Sequence, residues 1–457
     1  MGVFLNRDTD CICALATPWG RSAIAVIRLS GLHCGLKIKT LLSPSIKDED
    51  FKTKFVRFTK IHDHQSNPLD QILLLNFPHP RSFTGEDVVE IQCHGSPVLV
   101  EAILNAIVSC GIRLAEGGEF SKRAFLNGKM DLIQAESIQQ LIEANSLRAV
   151  RENLQKLEGF ISQIVQKIQT QLMNILGTIE AHLDFPEDDI DSLDKDQLCR
   201  ELVAVGATIG EKVRESQRVE HLSRIPHCVI IGRPNVGKST LFNALLETKR
   251  SIVSDKAGTT RDYIQEILTI QGSQVLLTDT AGIRPNPDAI EGEGIERSLE
   301  FLHTSDLILF IKDACMGWTQ EDENLFKMTD GRPRLFIINK YDVNQHTEHW
   351  MDQETPLKIC SHNAEDIQSV KLRMAAMLQL EMDHQEMFIS LNQRQNHCMK
   401  ETLGSVIAAE ALLVHGADLE IVALKIREAM EKLAQMTGVS VDRALLDHLF
   451  SQFCIGK

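Results

Sequence analysis

At residues 228–245 the chain reads CVIIGRPNVGKSTLFNAL. A short apolar run leads into a glycine-rich turn, and Leu241, Phe242 and Leu245 then recur at helical spacing. Strand, loop and helix around Gly232-x4-Gly237-Lys238-Ser239 make the phosphate loop of a P-loop NTPase. The glycines let backbone N–H groups curl around a β-phosphate. Lys238 brings a point positive charge to the β- and γ-phosphates, and the Ser239 hydroxyl is a ligand for Mg²⁺. Asn235, Val236, Gly237 and Thr240 complete the expected loop contacts with the nucleotide.

Three further stretches follow in the order a GTPase needs. QVLLTDTAG ends on Asp279, Thr280, Ala281 and Gly282. Asp279 there holds Mg²⁺ through water, and the Gly282 N–H senses the γ-phosphate. RLFIINKYD ends on Asn339, Lys340 and Asp342. A carboxylate at Asp342 accepts two hydrogen bonds from guanine N1 and N2, which adenine cannot offer, so GTP is expected over ATP. Between the phosphate loop and QVLLTDTAG, the stretch SDKAGTTRD, residues 254–262, supplies Thr260 as a second Mg²⁺ ligand on a switch loop. Further on, Cys360, Ser361 and His362 stand where such proteins back the guanine with a Ser-Ala-Lys loop. That match is loose, so contacts at Ser361 are expected mostly from the backbone. Ile283 follows Gly282 where many GTPases carry a water-orienting glutamine, so that function has to come from elsewhere.

Working outward, 457 residues suffice for two to four domains, and 43% hydrophobic with 24% charged residues is ordinary for a soluble globular chain. No run of eighteen apolar residues occurs, so no transmembrane helix is expected. Arg7, Asp8 and Asp10 interrupt any signal-peptide core. A net charge of −15 argues against a bulk basic surface for nucleic acid. The 11 cysteines show no paired framework, which implies a reduced, cytoplasmic setting. The ending FCIGK is a poor prenylation box.

Residues 1–125 carry short apolar runs (IAVIRLSG, QILLLNFPHP, VVEIQCHG) between turn signals and read as an α+β domain. Apolar residues at spacings of three and four make 130–185 read as helix interrupted at Gly159 and Gly177, and a second helical block begins near Gln393. The expected order is therefore an α+β domain (1–125), a first helical segment (126–218), a G domain (219–382) and a second helical segment (383–457). This places an α/β P-loop GTPase domain inside an α-helical domain.

GRPNVGKS, AGTTRD, DTAGIR, NKYD and the terminal FCIGK together resemble the MnmE (TrmE) family of tRNA-modification GTPases. So do ATPWGRSAIAVIRLSG, SFTGEDVVEIQCHG and GGEFSKRAFLNGKMDLIQAE, so that the resemblance spans essentially the whole chain. It implies a K⁺ ion in place of an arginine finger, held by Asn235 with Ser254, Lys256 (backbone) and Thr259. It implies a catalytic glutamate at Glu291, and G-domain dimerisation that closes the site. It implies a folate-binding-like N-terminal domain through which a homodimer forms. A tetrahydrofolate (5-formyl or 5,10-methylene form) would contact Arg28, Glu90 and Lys129, with Lys457 nearby and Cys454 close to the one-carbon chemistry. The implied partner is an FAD-containing protein of the MnmG (GidA) type, in a heterotetramer or larger complex. The implied reaction adds an aminomethyl-type group at C5 of wobble uridine 34 of tRNA. The main alternative is a ribosome-assembly GTPase of the Era or Der type, which calls for an RNA-binding module such as a KH domain after the G domain.

Overall fold

The computed structural model describes residues 10–184, 194–223, 225–246, 264–279, 304–343, 355–380, 390–453 and Gly456. The chain divides into two compact units. One comprises Met1–Glu143, Asn153–Gln217 and Ile389–Lys457, the other Ala144–Glu152 and Arg218–Phe388.

The first unit opens with a six-stranded sheet built from β1 (Ile12–Leu15), β2 (Ser22–Ser30), β3 (Phe55–His62), β4 (Pro68–Phe77), β5 (Val88–Gly95) and β6 (Arg113–Leu114). Their order is β3-β4-β5-β2-β1-β6, antiparallel except for the β1–β6 pair. Alternation does the sorting, because successive side chains leave a strand on opposite faces. Ala25, Ile27 and Leu29 of β2 and Val89, Ile91 and Cys93 of β5 point into the core, while Arg28 and Glu90 lie on the more open face. A short helix α1 (Cys34–Lys37) and the longer α2 (Pro97–Ser109) cover the apolar face, α2 burying Val100, Ile103 and Ile107. Proline at its first turn costs no hydrogen bond there.

Helices α3 (Glu119–Leu126), α4 (Leu132–Ile142), α5 (Leu147–Leu157), α6 (Phe160–Asp184) and α7 (Lys195–Ser223) follow. Asp131 caps α4 by accepting from the Gln134 amide at 2.9 Å, with Gln134 returning the bond. The helical stretch breaks after α4 and at Gly159, whose φ is +87°, but Gly177 interrupts nothing. A lone glycine costs only about 1 kcal/mol inside a helix, and α6 offsets that by burying Ile161, Val165, Ile168, Leu172, Ile175 and Ile179.

The second unit carries β7 (His227–Ile231), α8 (Lys238–Leu246), β8 (Ile264–Ile270), β9 (Ser273–Asp279), β10 (Leu307–Asp313), α9 (Gln320–Lys327), β11 (Arg334–Asn339), β12 (Leu357–Lys358) and α10 (Ala364–Met377). Its sheet runs β12-β11-β10-β7-β9-β8, parallel except for the β8–β9 hairpin. All seven residues of β10 are buried, as expected of a central strand covered on both faces. Ligands of such sheets bind at the carboxyl ends of the strands, where β7, β9, β10 and β11 here deliver Gly232, Asp279, Asp313 and Asn339.

The chain then returns to the first unit in α11 (Gln393–Val414), α12 (Leu419–Thr437) and α13 (Arg443–Ser451). These share one core with α6 and α7, in which Val406, Val422, Ile426 and Leu433 meet Leu202 and Ile209. Buried Glu136 of α4 accepts from Asn392 at 2.9 Å, from Arg394 Nε at 2.6 Å and from Gln395 at 2.6 Å. Arg394 also caps the end of α12 through the Gln435 and Met436 carbonyls. Phe450 and Phe453 pack with Leu132, Ala135 and Leu446. Gly456 is buried as well, against Leu15 of β1 and Ala16 just after it.

Candidate functional site

The phosphate loop runs from the end of β7 into α8. Gly232 has φ +152°, and a Cβ there would lie 2.3 Å from the Ile311 carbonyl oxygen, so the loop packs directly on β10. Lys238 is buried, and its Nζ donates to the Gly232 and Arg233 carbonyls at 2.7 and 2.8 Å, which folds it back under the loop. Burial holds its pKa below the usual lysine value, against the pull of the Asp279 and Glu321 carboxylates. Ser239 and Thr240 are exposed in the first turn of α8, and buried Asp279 ends the parallel neighbour of β7. The amides of a helix start and a nearby carboxylate suit an anionic phosphate and its cation.

The base-reading end is joined to this loop. Buried Asn339 donates from Nδ2 to the Val236 carbonyl at 3.0 Å. Its Oδ1 accepts from the Ser361 amide at 3.2 Å and from the Ser361 hydroxyl at 2.8 Å. Ser361 thus meets Asn339 through its side chain as well as its backbone, because Asn339 presents it with an acceptor. Asp342 is exposed, as a group that meets a base must be. Lys340 donates to the Asn235 carbonyl at 3.0 Å and pairs with Asp313 at 2.7 Å.

In the first unit the β2–β5 register puts Arg28 directly across from Glu90, with Arg28 Nε 2.8 Å from Glu90 Oε1. The guanidinium lies 5.6 Å from the Phe83 ring and 5.9 Å from the Phe120 ring, and Nη1 reaches the Gly456 carbonyl at 3.4 Å. Lys129 instead donates to the Pro80 carbonyl at 3.2 Å, on the loop that also carries Phe83. A cation and a carboxylate beside aromatic faces and the chain end can take a flat, polar, anionic molecule.

Residues 11–129 match the family described as GTP-binding protein TrmE N-terminus, and 132–454 match the MnmE helical domain. A tRNA modification GTPase MnmE of Fervidobacterium nodosum is 36% identical over 455 residues, 99% of this chain and 98% of that protein. The protein of that name from Magnetococcus marinus is 36% identical over 464 residues, 99% of each chain. That from Aquifex aeolicus is 35% identical over 449 residues, covering 98% and 99%. The chain belongs to the MnmE family. The full-length match to MnmE proteins does not favour the Era- or Der-like alternative.

Several residues named for this MnmE-family chain lie outside the described residues: Ser254, Lys256, Thr259, Thr260, Thr280, Ala281, Gly282, Glu291, Cys454 and Lys457. Among the described residues the structure brings Asn235, Val236, Asn339, Lys340 and Ser361 into one bonded group, and Arg28 to Glu90 in another. Sequence reasoning missed Asp313 and Arg233. Arg233 Nη1 reaches the Thr319 hydroxyl at 3.1 Å and Asp322 at 3.3 Å, which ties the phosphate loop to the start of α9. Asp313 ends an apolar strand, and that position was the only available signal. Also missed was the cluster of Asp10, Glu86, Arg113, Glu119 and Arg123. There buried Arg123 meets Asp10 Oδ1 at 2.8 Å and Glu119 Oε1 at 2.9 Å, and Ser30 meets Glu86 at 2.7 Å. This cluster fixes the loop 82–86 beside β2.

Proposed function

We propose that this chain is a K⁺-activated, Mg²⁺-dependent GTPase of tRNA modification. The observation that carries the nucleotide assignment is the single bonded group formed by the phosphate loop, Asn339, Lys340 and Ser361, with Asp342 left exposed for guanine. Ser239 and Thr260 would hold Mg²⁺. Asn235, with Ser254, Lys256 and Thr259, would hold K⁺, and exposed Asn235 in a left-handed backbone, φ +65°, suits that task. Potassium supplies positive charge where negative charge develops in phosphoryl transfer. Glu291 orients the attacking water.

The Arg28–Glu90 pair, with Lys129 and the chain end carrying Cys454 and Lys457, takes a tetrahydrofolate. Its glutamate tail needs cations, and its pterin donors need a carboxylate. The modules are residues 1–125, 126–218, 219–382 and 383–457, and the chain works as a homodimer. With an FAD-containing MnmG-type partner, in the cytoplasm, it modifies C5 of wobble uridine 34 of tRNA. Among the described residues no helix is long and apolar enough to cross a membrane.

The test is GTP hydrolysis in KCl against NaCl at equal ionic strength, alongside Asn235→Ala. A rate selective for K⁺ that collapses in the variant is expected. Equal rates in the two salts would overturn the cation reading.

A further inference from the structure

The proposed chemistry gives Asp313 no role, yet the nucleotide site is built around it. It ends β10 in register with Asn339 and is buried. One carboxylate oxygen accepts from the Cys315 amide at 2.8 Å, and the other accepts from Lys340 Nζ at 2.7 Å. The same Nζ donates to the Asn235 carbonyl at 3.0 Å. Lys340 and Asn235 are both non-glycine residues in the left-handed region, at φ +61° and +65°. Such conformations persist only where the surroundings over-determine them. Here each residue is held by the other, and the ammonium that joins them is anchored by Asp313. Burial alone would push the Asp313 carboxyl up, but Lys340 and the Cys315 amide bring it below the usual carboxylate value, so it is ionised at neutral pH.

We infer that Asp313 is a positioning residue that couples guanine recognition to cation activation. Through Lys340 it sets the backbone of Asn235, and so the aim of the Asn235 side chain. The Lys340 side chain is 41% exposed, so without its buried anchor the ammonium would be drawn into water and the Asn235 carbonyl would lose its donor. The inference deepens the K⁺ reading and rests on it.

The experiment titrates the full chain with KCl, at ionic strength held constant by an organic ammonium chloride, and reads both GTP hydrolysis and, without turnover, the K⁺-dependent binding of a fluorescent non-hydrolysable GTP analogue. The chains compared are wild type, Asp313→Asn, Asn235→Ala and the double variant. Asp313→Asn keeps the shape and removes the charge. It is expected to raise the half-activating K⁺ concentration by roughly tenfold, the weight of one charge-assisted hydrogen bond. In the Asn235→Ala background, where K⁺ activation is already lost, it is expected to leave the residual hydrolysis rate unchanged, since both changes act on one element. Asp313→Glu is expected to restore some of the K⁺ response. Should Asp313→Asn fail to fold, Lys340→Gln breaks the same chain of contacts and is expected to show the same rise.

An unchanged half-activating concentration in Asp313→Asn, with a wild type that responds to K⁺, would overturn the inference. Fully additive losses in the double variant would overturn it too. A wild type indifferent to K⁺ would overturn the cation reading itself, and the coupling with it.

Discussion

A single methyl group at Gly237 tests whether the phosphate loop and the base-reading strand form one unit. Gly237 has φ +100°, and a Cβ built there would lie 2.2 Å from Asn339 Nδ2. The left-handed backbone costs an alanine about 1–2 kcal/mol. The amide of Asn339 must also move, and it is fixed on both sides, donating to Val236 at 3.0 Å and accepting from Ser361 at 2.8 Å. Disrupting a buried bond of this kind costs about 1–3 kcal/mol. Together the two terms come to about 2–5 kcal/mol, which is roughly 30-fold to several thousand-fold in affinity when it falls on binding. Fluorescent guanine-nucleotide titration of Gly237→Ala measures this, with thermal unfolding alongside to see how much falls on the fold. Gly331→Ala is the control: its φ is +77°, but nothing lies within 4 Å of the added methyl, so it carries only backbone strain and no loss of nucleotide. Gly237→Ala binding within about threefold of wild type, which is under 1 kcal/mol, would refute the reasoning.

Three other outcomes are expected. Gly118→Ala places a Cβ 2.3 Å from the Phe450 carbonyl oxygen at φ +65° and is expected to destabilise the first unit by about 2–4 kcal/mol, read by chemical denaturation. Glu119 is the pH test. Burial would raise its carboxyl, but Arg113, the Glu116 amide and Arg123 hold it below the ordinary value of 4.5. A depressed folded pKa gives stability that is present above that ordinary value and lost as pH falls through the folded one. Glu119→Gln is therefore expected to lower the unfolding midpoint at neutral pH and to flatten its decline in acid, and an acid limb as steep as in the wild type would count against the cluster. Arg28→Ala removes the partner of Glu90 and is expected to weaken tetrahydrofolate binding by roughly tenfold or more in calorimetric titration, with GTP binding by the second unit unchanged.

The sequence alone determined the elements whose chemistry is local. Gly232, Gly237, Lys238 and Ser239 work because of their spacing along one loop. Alternation in VVEIQCHG was enough to separate buried from open positions, since a strand has a period of two, whereas the apolar run opening IAVIRLSG did not mark Ile24 as exposed beside buried Ala25. Within the helical spacing of three and four, the glycine signal overstated the break at Gly177, because a helix with a well-buried stripe tolerates one glycine. It gave no sign of the break after α4.

Only the tertiary structure decided which distant residues meet. Arg28 and Glu90 lie 62 positions apart and face each other through the register of two strands. Arg28 and Gly456 are separated by 428 positions, and Glu136 and Arg394 by 258. Asp313, Lys340 and Asn235 converge because three parallel strands end at one edge of a sheet. No periodicity marks such pairings. They follow from register, crossover and close packing, which belong to the folded chain as a whole and to no window of its sequence.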